Sequence, residues 1–70
     1  MGTNYYRDIN KVKAFLEKSG HSKDIHIETF AKAMAIVFGM KRNTAGKWIK
    51  NYIDMNFIEM KDRKINFNNL

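Results

Sequence analysis

Apolar positions recur along this chain with two different periods. Over residues 4–19, Tyr5, Ile9, Val12, Phe15 and Leu16 fall on one stripe of a helix. Asn4 or Thr3 offers a side-chain oxygen to the free N–H groups at its start, and Gly20 suits its C-terminal stop. Ile25, His26 and Ile27 form a β-prone run too short for a sheet of its own, so it is expected as a third strand against a hairpin elsewhere. A second helix is predicted over residues 28–38, ending at Gly39. It is apolar nearly all round, through Phe30, Ala31, Ala33, Met34, Ala35, Ile36, Val37 and Phe38, and must be covered on most sides. Ala33 and Ile36 do not share a face with Phe30, Met34 and Phe38. Either the first helix and a hairpin cover opposite sides, or part of this helix is a homodimer contact; the pattern leans slightly to the dimer.

A third helix is predicted over residues 43–55. Ala45, Trp48, Ile49, Tyr52 and Ile53 line one side of it, and Asn56 suits its left-handed stop. The period then changes to two. Ile58 and Met60 alternate with Glu59 and Lys61, and Ile65 and Phe67 flank Asn66. Between these runs lies the charged turn Lys61-Asp62-Arg63-Lys64, giving a hairpin over residues 57–67 with one apolar face. The order is helix, short strand, helix, tight turn, helix, hairpin: an α+β domain (α-β-α-α-β-β) over residues 1–70.

Composition narrows the class. Seventy residues hold one core and no second domain, and 44% hydrophobic content is too much for a disordered tail. There is no Cys and no Pro, which excludes disulfides and Cys-based zinc sites. No apolar run reaches the roughly 20 residues of a membrane span, and residues 1–10 lack a signal-peptide core. The expected setting is the cytoplasm, in association with the nucleoid, or the host cell interior for a viral or plasmid gene. Thirteen Lys and Arg against seven Asp and Glu leave a net charge of +6, which draws polyanions. Where those charges sit decides what they mean.

The stretch FAKAMAIVFGMKRNTAGKWIKN, residues 30–51, resembles a helix-turn-helix. Ala35 stands four positions before the turn glycine Gly39, where the two helices of that motif touch. Phe38 and Met40 flank the glycine, and Ala45 and Trp48 occupy the buried positions six and nine beyond it. With the upstream helix, the short strand and the hairpin, the whole chain resembles a winged helix. That resemblance implies duplex DNA as partner, helix three in the major groove, and the hairpin tip on the backbone or in an adjacent minor groove.

The residues agree with it in their own terms. On a helical wheel of about 100° per residue, Ala45, Ile49 and Tyr52 face inward, and Asn43, Lys47, Lys50, Asn51 and Asp54 face out. Lys and Arg bond guanine edges or phosphates, and Asn pairs bidentately with adenine. Asn43, Lys47, Lys50 and Asn51 are therefore the candidate base contacts. Lys41, Arg42 and Thr44, at the helix N-terminus with its free N–H groups, are candidate phosphate contacts. So are Lys61, Arg63 and Lys64 on the wing. Gly46 leaves a bare patch on the exposed face. The competing view is an ordinary solvated face and a turn that keeps an edge strand soluble.

Other chemistry has little footing. His21 and His26 with nearby Asp24 match no familiar metal spacing. Ser19 and Ser22 have no base and orienting group arranged about them, so no enzyme and no cofactor are expected. The helical spacing of Trp48 and Tyr52 marks core packing, which disfavours an aromatic platform for RNA. The alternative function class is a winged helix that binds protein within a larger assembly, favoured by the apolarity of helix two.

Overall fold

The computed structural model describes residues 4–68. The chain forms α1 (Ile9–Lys18), β1 (Ile25–His26), α2 (Ile27–Phe38), α3 (Arg42–Asp54), β2 (Ile58–Lys61) and β3 (Lys64–Phe67). The strands make one antiparallel sheet in the order β1-β3-β2. Ile25 pairs with Ile65, and Met60 pairs with Ile65 from the other side. The alternation of the hairpin thus puts Ile25, Ile58 and Ile65 on one buried face.

The core lies between that face and the three helices. Ile9, Val12 and Leu16 of α1 meet Phe30, Ala31, Ala33 and Met34 of α2 and Ala45, Ile49 and Tyr52 of α3. The Phe67 ring lies 5.6 Å from that of Phe30, with the Lys13 ammonium 6.0 Å from the Phe67 ring centroid. The apolarity of α2 is thereby accounted for. Ala33 is buried, and α1, α3 and the sheet all pack on this helix. Of its large apolar side chains only Ile36 stands well out, 60% exposed.

Each helix stops at a residue in the left-handed conformation: Gly20 (φ 86°), Gly39 (φ 68°) and Asn56 (φ 64°). After α1, the His21 N–H reaches the Leu16 carbonyl and the Gly20 N–H that of Glu17; after α3, Phe57 bonds Tyr52 and Asn56 bonds Ile53. Both are the reciprocal pairs that satisfy the last carbonyls of a helix. At Gly39 a Cβ would meet nothing within 4 Å. Its role is therefore the turn's positive φ, as expected of a glycine that ends the helix. Ala35 is half-buried beside an open groove.

The first helix starts later than the stripe predicts. Residues 5–8 are a turn, and the helix begins at Ile9 after Asp8, with no side-chain capping bond. Asn4 Oδ1 instead accepts from the Arg7 N–H, 3.0 Å away, inside that turn. Thr3 lies outside the described residues. The turn brings the consecutive Tyr5 and Tyr6 both onto Trp48, at 4.8 and 5.1 Å, whereas helical residues would diverge by about 100°. The Arg7 guanidinium, 3.1 Å from the Asp8 carboxylate, holds that carboxyl below its usual range. Smaller differences lie elsewhere. Ile27 opens α2 instead of ending the strand, and α3 begins at Arg42 and ends at Asp54.

Two glycines should respond to alanine with opposite signs. Gly39→Ala forces a side chain into the left-handed region and should cost about 1–2 kcal/mol. Gly46, in the helical interior of α3 with open space where a Cβ would go, should gain about 0.5–1 kcal/mol as alanine. Urea unfolding midpoints of the two variants against the parent check both signs.

Candidate nucleic-acid interface

The rotation of α3 is set by what it buries. Ala45 and Tyr52 are fully buried and Ile49 nearly so, with Trp48 and Ile53 half-buried on either side. The opposite face must then carry Asn43, Lys47, Lys50 and Asp54. All four are exposed, as are Lys41, Thr44, Gly46 and Asn51. Asn43, Lys47 and Lys50 share a sector of about 60° on the wheel. Asn51 and Thr44 lie about 80–100° to one side, the flank of Trp48, and Arg42 about 100° to the other, the flank of Ile53. Among the described residues no carboxylate stands within ion-pair distance of Lys47 or Lys50.

Arg42 behaves differently from its neighbours. It forms an ion pair with Glu28 in the first turn of α2. Both side chains line an open groove of about 540 Å³ floored by Ala31 and Ala35, with Lys32 and His21 at its sides. The pair is solvent-exposed, so its contribution to stability is small. Its effect on charge is larger: it engages one of the cations at the start of α3 with an acid of the chain itself. Glu28 carried no signal as a site residue in the sequence, where an acid in the first turn of a helix reads simply as a favourable partner for the dipole.

The hairpin is short and fastened down. Asp62 (φ 53°) and Arg63 (φ 64°) form a two-residue turn flanked by the pair Lys61 and Lys64. Positive φ at both central positions is the turn that matches strand twist. The Arg63 carbonyl accepts from the Ile27 N–H at 2.8 Å, which pins the tip to the start of α2. His26 in turn caps that helix: its Nδ1 accepts from the Glu28 N–H at 3.1 Å. Residues 26–28 therefore tie the hairpin tip, the α2 N-terminus and, through Glu28, the start of α3. Sequence reading missed the cap, because histidine is outside the usual set of capping residues. Lys61, Arg63 and Lys64 are all exposed.

A cluster of rings supports the Trp48 flank of α3. Tyr5, Phe38 and Trp48 pack at 4.8–5.0 Å. Tyr6 lies 5.1 Å from Trp48 and 6.0 Å from Phe57, and is 41% exposed. Both tyrosine rings meet Trp48, Tyr5 half-buried and Tyr6 exposed at the edge of the cluster. The Tyr52 hydroxyl donates to the Tyr5 carbonyl at 2.7 Å, bridging 47 residues of sequence. Burial, reinforced by the nearby Tyr6, Tyr5 and Asp8, pushes the Tyr52 phenol well above its ordinary value. Elsewhere, the Asp24 carboxylate accepts from the Asn66 amide at 3.1 Å. Among the described residues no three His, Asp or Glu side chains come together as a metal site, and no helix is long and apolar enough to cross a membrane.

No known protein family, no curated protein and no solved structure matches the chain, so the site's function rests on its own geometry.

Tyr52→Phe keeps the ring and deletes the bond to Tyr5, so it should lower stability by about 1 kcal/mol at neutral pH. The folded chain holds the phenolic proton more tightly than the unfolded chain, whose ordinary value is 10.0. The hydroxyl's contribution is therefore complete below pH 10 and declines as pH rises beyond it. Denaturation of parent and variant at neutral pH and above pH 10 should show the gap between them closing.

Proposed function

We propose that this chain is a winged-helix protein that binds duplex DNA with some sequence preference, in transcriptional control or in replication or maintenance of a plasmid or virus. The single observation that carries this reading is the outward sector of α3, where Asn43, Lys47 and Lys50 stand exposed and, among the described residues, no acid lies within ion-pair distance of either lysine. α3 is 13 residues long, about 20 Å, enough to lie along a major groove. Lys47 and Lys50 reach guanine edges or phosphates, and Asn43 and Asn51 offer adenine its bidentate partner. Lys41 and Thr44 take backbone phosphates at the helix start. Lys61, Arg63 and Lys64 do the same from the wing, whose tip is pinned against the α2 N-terminus. Arg42 joins them when a phosphate displaces Glu28.

Binding to a labelled random duplex at two salt concentrations tests the reading. Lys47→Ala with Lys50→Ala should weaken binding about tenfold or more and flatten its salt dependence by about two units of slope. A double variant that bound like the parent would place the interface elsewhere. A parent with no affinity for duplex DNA at about 100 μM would favour a protein-binding module instead.

Glu28→Gln should act in the opposite direction. Releasing Arg42 should tighten binding about threefold or more and steepen the salt slope by about one. The gain should vanish in an Arg42→Ala background, which separates release of that guanidinium from a general loss of negative charge.

A further inference from the structure

The open edge of the sheet is self-complementary, and we infer that it pairs two copies of this chain. Among the described residues β2 is an edge strand, bonded to β3 on one side only. The two-residue turn makes Lys61 and Lys64 the pair that exchanges both backbone hydrogen bonds, so Glu59, two residues back, also faces β3. The N–H and C=O of Met60 therefore point away from β3, to the open side. Its side chain lies on the core face with Ile58, yet is 42% exposed where Ile58 is buried.

An antiparallel second copy centred on Met60 fits this edge. The two Met60 residues exchange their free backbone hydrogen bonds across a two-fold axis, and their side chains cover one another on the core face. On the outer face Glu59 then stands opposite Lys61 of the second copy, and Lys61 opposite Glu59 of the second copy. This non-hydrogen-bonded pairing brings Cα atoms to about 4.5 Å. Within one chain Lys61 faces the like charge of Lys64 across the hairpin, an unfavourable arrangement that the incoming carboxylate relieves. A strand of any other charge order leaves at least one of these positions mismatched; the order Glu-Met-Lys satisfies both against itself. The contact is small, which makes a weak dimer, and a weak dimer is enough to place two α3 helices on one two-fold axis.

This inference does not depend on DNA binding, and charge reversal tests it without DNA. Sedimentation velocity of the parent from about 10 μM to about 1 mM should show reversible growth towards twice the monomer mass. Glu59→Lys and Lys61→Glu should each weaken self-association about tenfold or more, since each creates two like-charge contacts. The double variant Glu59→Lys/Lys61→Glu restores both pairings in reverse and should associate within about threefold of the parent. Circular dichroism confirms that all variants remain folded. A parent that stays monomeric to 1 mM, single variants that associate like the parent, or a double variant as weak as the singles would each overturn the inference.

Discussion

The setting of α3 about its own axis governs the rest of the molecule, and Tyr52 fixes it. Its ring is fully buried, its hydroxyl is tied to the Tyr5 carbonyl, and its own carbonyl accepts the Phe57 N–H that starts the hairpin. A rotation of α3 by one residue, about 100°, would expose that ring and strand the hydroxyl bond. It would also carry Lys47 and Lys50 out of their open sector. The outward position of those lysines thus follows from an apolar constraint. Lysine has no geometric requirement of its own here; it occupies the face the aromatics leave over.

Residues 26–28 connect the rest. In three consecutive positions the chain leaves the sheet, caps α2 with His26, bonds the hairpin tip through Ile27 and pairs with Arg42 through Glu28. The hairpin has only four residues per strand, and its tip is bonded to the start of α2 through Ile27. The same compactness leaves Arg42 facing an internal acid, so the positive surface is smaller than the count of basic residues implies.

Much of this architecture was legible from period and punctuation. The three left-handed stops fell at Gly20, Gly39 and Asn56 because only residues that tolerate positive φ stood where each apolar stripe ended. Ile25 was readable as a third strand because a two-stranded hairpin needs cover. The late start of α1 was not legible. Tyr5 fits the helical stripe, and only contact with Trp48, 43 positions later in the chain, shows why the segment turns. The Glu28–Arg42 pair was hidden for the same reason, since it joins two helices whose approach is set by the fold.

The central claim is that the face opposite Tyr52 meets DNA, and amide-resolved NMR of the folded chain titrated with a short duplex tests it most directly. The shifts should concentrate at Asn43, Lys47, Lys50 and Asn51, with a second group at Arg63 and Lys64. Shifts concentrated on the exposed residues of α1, such as Lys11 and Lys18, with α3 unchanged, would contradict it.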